Sequence, residues 1–298
     1  MLHSLSNIAV NIALTTPLVG AYTMFALGIV FIYRSSRVLN LAHGAMAMVP
    51  AYVAFSVGGA LGVIPGLVAA LVTGAAIGIS VERGVVRRLR GGSATAQTVG
   101  TVGVLGLLIA LAARQWGTTP RHGIEVFPDH AYRVGHAVLH LGDIGLLVTA
   151  LGLAVGFIAL FRFTDLGLAM RCAADNRRAA KLMGIDPDRT TAAAWGFAGL
   201  LAALAGVLLG ASTNLHPYTL SLQVLPAFVA ALIGGLESVP GAVIGSVVVG
   251  VTIGMVPTLG DLGRQVGAPQ LALTLLAFVV MSVRGKRFSV AESDGGLL

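Results

Sequence analysis

Apolar residues in this chain run in long continuous blocks, without the apolar–polar alternation of a half-buried strand or of a membrane β-barrel. Marking every Asp, Glu, Lys and Arg leaves seven charge-free stretches: 1–33, 38–81, 91–113, 144–161, 190–236, 238–260 and 265–283. A helix needs about 20 mostly apolar residues to cross a bilayer core. Five of the stretches hold one such helix and the two longest, 38–81 and 190–236, hold two each, so the pattern predicts up to nine crossings. The first long stretch is expected to fold back near Gly58-Gly59. The second is interrupted by the polar run from Ser212 to Thr219. Leu225–Leu236 is short for a straight span, so a re-entrant half-helix there would reduce the count to about eight. No Lys or Arg precedes Arg34, and the first apolar run overshoots a signal-peptide core, so it reads as a span.

Composition agrees with a bundle in lipid. Hydrophobic residues make up 56% of the 298 and charged residues only 10%, too few to cover the surface of a soluble globule. Mean hydropathy is +0.89, which also excludes a disordered chain. The single Cys172 excludes a disulfide framework and a cysteine-cluster metal site. The expected fold class is an all-α integral membrane protein, one polytopic bundle over 1–298 with broken or re-entrant helices.

The net charge of +7 is a topology signal. Thirteen of the 19 basic residues fall in three segments. These are 82–94 (Arg83, Arg87, Arg88, Arg90), 162–190 (Arg162, Arg171, Arg177, Arg178, Lys181, Arg189) and the tail 284–298 (Arg284, Lys286, Arg287). All three are expected in the cytoplasm, with segment 114–143, whose arginines are offset by Glu125, Asp129 and Asp143, outside. No aromatic-interleaved basic face or nucleic-acid motif accompanies the charge, so no nucleic-acid partner is expected.

An internal echo runs through the spans. Pro50-Ala-Tyr-Val-Ala-Phe-Ser-Val-Gly-Gly59 is answered by Pro226-Ala-Phe-Val-Ala-Ala-Leu-Ile-Gly-Gly235, and each is soon followed by a Pro-Gly pair, Pro65-Gly66 and Pro240-Gly241. Transporters are often built from repeats whose broken helices meet around the substrate path; chance similarity in Gly/Ala-rich sequence gives the other reading. If the echo is real, Gly234 and Gly235 lie near the path.

Polar residues inside spans are costly and face a cavity, a partner or one another. Asn40 and His43 share a helical face. His43 is either a core histidine bonded to a neighbouring carbonyl or a group that holds a broken helix beside the path. Gln97, Thr98 and Thr101 form a polar stripe that suits either interhelical hydrogen bonds or solute contact. Arg34 and Arg37 read as anchors at the membrane edge or as inner-gate residues, and Glu237 as a solvated acid or a gate contact. No nucleophile, paired carboxylate or metal constellation accompanies them, so neither catalysis nor a bound metal is expected. Glycines four apart, among them Gly74/Gly78, Gly152/Gly156, Gly206/Gly210 and Gly241/Gly245, predict close helix contacts.

The loop 162–190 is the most informative segment. Leu168 to about Met183 suits one helix of four turns, stopped by Gly184 with Pro187 soon after. The small residues Ala179 and Ala180, followed by Gly184-Ile185, make a low-bulk knob that could enter a groove on another protein or simply belong to a linker.

Three blocks resemble the permease subunits of branched-chain amino acid ABC importers, the LivH type. The first is Ala26-Leu-Gly-Ile-Val-Phe-Ile-Tyr-Arg34 with Arg37-Val-Leu-Asn-Leu-Ala-His-Gly44. The second is Gly167-Leu-Ala-Met-Arg-Cys-Ala-Ala-Asp-Asn176 with Ala179-Ala180 and Gly184-Ile185. The third is Ala227-Phe-Val-Ala-Ala-Leu-Ile-Gly-Gly235 with Ser238-Val-Pro-Gly-Ala-Val-Ile-Gly245. The resemblance implies a division of labour in the bacterial inner membrane. An extracytoplasmic binding protein delivers an amino acid, two permease subunits (this chain and a relative) form the path, and two ATP-binding subunits drive it. This chain has no Gly-x-x-x-x-Gly-Lys-Ser/Thr phosphate loop, so ATP and magnesium are expected on the partners and no cofactor on this chain. The resemblance implies that Ala179, Ala180 and Gly184 enter a cleft on the ATPase, within a candidate coupling loop that also takes in Arg171, Asn176, Arg178 and Ile185; the polar stripe and the echo give a candidate path through Asn40, His43, Gln97, Thr101, Gly234 and Gly235. One departure is that Arg178 stands where the broader importer pattern has Glu. The alternative function is a stand-alone secondary transporter or channel, a class that commonly carries intramembrane carboxylates.

Overall fold

The computed structural model describes residues 15–127, 130–134, 137–258, 260–263 and 265–293. The first 14 residues of the expected first span and the end of the tail, 294–298, lie outside the described residues. Twelve α-helices follow in order among them: α1 (Thr16–Ser36), α2 (His43–Leu61), α3 (Val63–Val81), α4 (Ala94–Trp116), α5 (Leu141–Phe163), α6 (Asp165–Asp175), α7 (Arg177–Leu182), α8 (Pro187–Ser212), α9 (Pro217–Leu222), α10 (Val224–Gly234), α11 (Val239–Met255) and α12 (Ala268–Ser293). Among the described residues, eight segments are long and apolar enough to cross a membrane, and the apolar part of α12, Ala268–Ser282, is shorter. The chain is a multi-pass helical membrane protein.

Local chemistry sets the helix ends. Ser93, Thr164, Asp186 and Ser238 each accept a backbone N–H of the following first turn through their side chains, satisfying donors that a helix start leaves orphaned. Pro187 and Pro217 open α8 and α9, where a missing N–H costs nothing. The fold-back of the first long stretch falls at Gly62, with φ of +99°, three residues beyond Gly59. The second long stretch departs from expectation. The polar run does not stay a loop, because its residues from Pro217 onward form α9, and α9 with α10 makes an 18-residue apolar segment, Pro217–Gly234. Leu225–Leu236 thus overlaps the later part of a longer apolar segment that is broken at Gln223, in keeping with the expected broken helices.

The two ends of the bundle can be told apart by contacts. At one end, Arg37 after α1 pairs with Glu237 after α10, and Trp195 of α8 donates through Nε1 to Ser36 Oγ at 3.3 Å. This basic end also holds Arg83, Arg87, Arg88, Arg90 and the α6–α7 segment. At the far end, two short strands, β1 (Arg121–His122) and β4 (Asn214–Leu215), pair antiparallel, and Tyr52 donates to the Leu215 carbonyl at 3.2 Å. A second small hairpin there, β2 (Ala131–Val134) with β3 (Ala137–His140), leads into α5.

α1 and α8 form the centre and are the most buried spans, 78% of each apolar window. They run antiparallel, and each is clasped by the hairpin of the other half: α2–α3 packs on α8, and α10–α11 packs on α1. Glycines permit the approach. A Cβ at Gly74 would lie 2.4 Å from the Gly199 carbonyl oxygen, and one at Gly199 would lie 2.0 Å from that of Gly74. The sequence echo has a spatial counterpart: Gly66 of α3 closes on the Ala54 carbonyl, and Gly245 of α11 closes on the Ala230 carbonyl, Ala54 and Ala230 being the fifth residues of the two echoed blocks. The arrangement is that of two repeats of opposite orientation. Gly152 and Gly156 depart from the predicted packing role, since a Cβ at either would meet nothing within 4 Å and α5 turns that face outward.

Candidate functional site: a docking tip and a polar junction

The segment expected as one four-turn helix is two helices. α6 ends at Asp175, and Asn176 turns into extended backbone (φ −148°, ψ 100°) and caps α7, accepting from the backbone N–H of Arg178 and Ala179, both at 3.0 Å. Asn favours this position because its short side chain competes for nearby backbone donors. Gly184 ends α7 as the pattern predicts. With φ of +82° it completes a Schellman turn, in which Ile185 N–H donates to the Ala180 carbonyl and Gly184 N–H to the Lys181 carbonyl.

The break presents a compact tip at the basic end. Leu182 is 87% exposed and Met183 69%, and Ala179, Arg178 and Gly184 are exposed beside them. Ala180 is buried, so of the two alanines expected in a knob only Ala179 faces out. Arg171 lies exposed on α6 with Nε 3.4 Å from the Gly167 carbonyl, and Ile185 is half-buried under the turn. The carboxylate of Asp186 accepts from the backbone N–H of Asp188 and Arg189, and these bonds hold it below the usual carboxylate range.

The predicted path residues do not form one cluster: Asn40, His43 and Thr101 gather in a buried junction, with His43 against Phe25 and Gly28 of mid-α1, whereas Gly234 and Gly235 lie at the α10–α11 turn on the basic end. Asn40, His43 and Thr101 are fully buried. Thr101 Oγ of α4 accepts from Leu41 N–H at 3.1 Å, and Asn40 Oδ1 accepts from Ala42 N–H at 3.0 Å. Asn40 Nδ2 lies 3.1 Å from Met46 Sδ. The expected carbonyl partner of His43 is not there: neither ring nitrogen has a hydrogen-bond partner among the described residues. The ring stands edge-on to Phe25 at 6.0 Å and fills the space left by Gly28, where a Cβ would lie 2.3 Å from Nε2. Gln97, one turn before Thr101, is half-buried. Gly234 packs on Gly241 across the α10–α11 turn, where its Cβ would lie 2.2 Å from the Gly241 oxygen. Gly235 takes φ of +86° and positions Glu237 for Arg37. Arg34 lies over the Phe161 ring, 4.5 Å from its centroid.

Two features were not singled out in the sequence. The pairing of Arg37 with Glu237 joins segments 200 residues apart and leaves no local signal. A set of charges around Glu82 and Asp188 lay hidden among basic residues that topology alone explains. A cleft of about 460 Å³ opens at the far end between the starts of α1 and α5 and the end of α8, lined by Leu18, Glu125, Phe127, Asp143, Leu208 and Thr213 among others. None of the predicted path residues lines it. No group of three or more His, Cys, Asp and Glu suited to a metal occurs among the described residues.

An antiparallel pair of buried central helices, two oppositely oriented glycine-laced hairpins and a buried polar junction define a membrane transport permease. Residues 11–283 match the family model described as branched-chain amino acid transport system, permease component, and the chain belongs to that family. It is 29% identical over 247 residues to the high-affinity branched-chain amino acid transport system permease protein LivH of Escherichia coli (strain K12), covering 77% of this chain and 80% of that one. It is 26% identical over 283 residues to the corresponding permease protein BraD of Pseudomonas aeruginosa, covering 89% and 92%. An autoinducer 2 import system permease protein, LsrC of Photorhabdus luminescens, is 29% identical over 158 residues, covering 50% and 45%. Among solved structures, PsaBC from Streptococcus pneumoniae in complex with Fab aligns over 91% of this chain and 88% of that one at 17% identity, with a TM-score of 0.48. The relatives named are transport permease components, not enzymes.

Proposed function

We propose that this chain is the membrane-spanning subunit of an ATP-driven importer for branched-chain or related amino acids in the bacterial inner membrane, with the basic end and the C-terminus in the cytoplasm. The observation that carries the reading is the α7 tip. Leu182 and Met183 are apolar, exposed and placed on a tightly capped turn amid basic residues, where a lipid tail would not cover them. Such a tip suits a groove on a separate ATPase subunit, which would hold ATP and magnesium. Family membership supports the substrate class. A second permease, two ATP-binding subunits and an extracytoplasmic binding protein complete the proposed assembly.

In this reading nucleotide-driven movement of the ATPases displaces α7, and the junction around Asn40, His43 and Thr101, closed by Arg37 and Glu237, opens to release solute. His43 and Asn40 meet the solute only transiently, with unpaired ring nitrogens on His43 free to bond a passing polar group. Specificity rests mainly with the binding protein. The test is uptake of labelled leucine into proteoliposomes holding this chain with its partner permease, ATPase subunits and binding protein. ATP-dependent accumulation supports the proposal. Uphill uptake by the lone chain without nucleotide would replace it with a secondary transporter.

A further inference from the structure

Glu82 closes α3 at the start of a π-helical segment, Glu82–Val86, and its carboxylate is fully buried. Oε1 accepts from Arg87 Nε at 3.2 Å and Arg90 Nη2 at 2.8 Å, and Oε2 accepts from Arg87 Nη2 at 2.7 Å. A carboxylate taken out of water is costly unless paired, so both arginines are tied to it. The bond to Glu82 raises the pKa of Arg87.

Both arginines also reach Asp188, Arg90 through a second nitrogen to its carboxylate and Arg87 through the same Nη2 to its backbone carbonyl. Arg90 Nη1 donates to Asp188 Oδ1 at 2.5 Å, and Arg87 Nη2 donates to the Asp188 carbonyl at 2.9 Å. The same Asp188 Oδ1 accepts from Nη2 of Arg177, the first residue of α7, whose Nη1 reaches Thr191 Oγ1 at 3.3 Å. Asp188 therefore stands between two guanidiniums that repel one another; burial and the nearby Arg90 both lower the pKa of Arg177. Charge-assisted bonds of this kind are short and directional. One carboxylate thus binds the docking helix α7, the start of α8 and the loop between α3 and α4. α4 in turn carries Thr101, which holds Leu41 beside Asn40.

We infer that Asp188 is a positioning residue that transmits displacement of α7 to the α3–α4 connection through the chain Arg177–Asp188–Arg90–Glu82. The inference rests on the coupling role proposed above for the α7 tip. Asp188, Arg90 and Arg177 are each a quarter to a third exposed, where isolated ion pairs contribute little to stability. Their value lies in joining helices that must move together. The π-helical segment beside them is a type of local widening found often at functional sites.

The experiment uses the complete complex in proteoliposomes and measures ATP hydrolysed per solute imported. Asp188→Asn should still co-purify with the ATPase subunits and hydrolyse ATP near the wild-type rate. Its uptake should fall by about tenfold or more, so that the ATP-to-solute ratio rises by the same factor, in the range of a typical coupling between sites. Asp188→Glu should return the ratio to within about twofold of wild type. If Asp188→Asn does not fold, Arg177→Gln leaves both partners of Glu82 in place and should show the same rise. An unchanged ratio in the folded variant, or a proportionate loss of assembly, hydrolysis and uptake, overturns the inference. Failure of the coupling reading is seen separately, without any substitution, as nucleotide-independent uptake by the wild-type chain.

Discussion

Arg37 and Glu237 form an ion pair that closes the basic end of the bundle between the α1–α2 connection and the α10–α11 turn. Arg37 adopts φ of +57°, rare for a residue with a side chain, and its guanidinium also lies 5.7 Å from the Tyr33 ring centroid. Both side chains are about half exposed, 48% and 58%, so the pair adds little to folding stability. Its consequence is for closure. Glu237→Gln should leave the thermal midpoint unchanged while raising nucleotide-independent efflux from preloaded proteoliposomes by up to about fivefold, the effect of a pair worth at most ~1 kcal/mol. Unchanged efflux would remove the pair from the gate.

The contact between Gly74 and Gly199 is the tightest point of the α3–α8 crossing. Gly74→Leu places a side chain where a carbonyl oxygen already stands, and the helices must separate. The expected cost is about 1–3 kcal/mol, as for overpacking elsewhere, read as a lower thermal midpoint in detergent. Gly152→Leu, on an outward face with no neighbour within 4 Å, should leave that midpoint in place.

Asn176 holds the start of α7. Asn176→Ala removes the acceptor for Arg178 and Ala179 N–H and should destabilise that helix by about 1 kcal/mol. Hydrogen exchange at the Ala180 and Met183 amides should quicken by about fivefold while the rest of the bundle is unchanged. Asn176→Asp retains a capping oxygen and should preserve protection.

Gly184 combines a left-handed backbone with an exposed position at the tip. Gly184→Arg should abolish ATP-coupled uptake while the protein still reaches the membrane, because the strain and the bulk both fall on the docking turn. Gly184→Asn, which tolerates the left-handed region, should retain most uptake. Normal uptake by Gly184→Arg would count against docking at this turn.

Much of the fold was legible because charge-free length reports membrane crossing directly, and because the glycine stop at Gly184 has a local cause. The break at Asn176 departs from the single expected helix, although its cause is also local: Asn competes better as a cap than as helix interior. The short helix α9 that precedes α10 is not evident in the sequence because polar Tyr218-Thr219 masks the helix-starting role of Pro217. Ala180 is buried although Ala179 is exposed, because adjacent positions on a helix diverge by about 100° and cannot both lead a knob. The Arg37–Glu237 pair and the bonds converging on Asp188 depend on tertiary approach. In the sequence, Arg87 and Arg90 look like any positive-inside residues, and only the burial of Glu82 distinguishes them.

The central claim is that the α7 tip faces the cytoplasm and sits in an ATPase groove. The direct measurement is labelling of Met183→Cys, in a Cys172→Ser background, by a membrane-impermeant maleimide. Labelling in inside-out vesicles but not in intact cells freed of their outer membrane, suppressed when the ATPase subunits are bound, is the predicted result. Labelling from the outer face, or equal labelling with and without the ATPase subunits, would contradict the account.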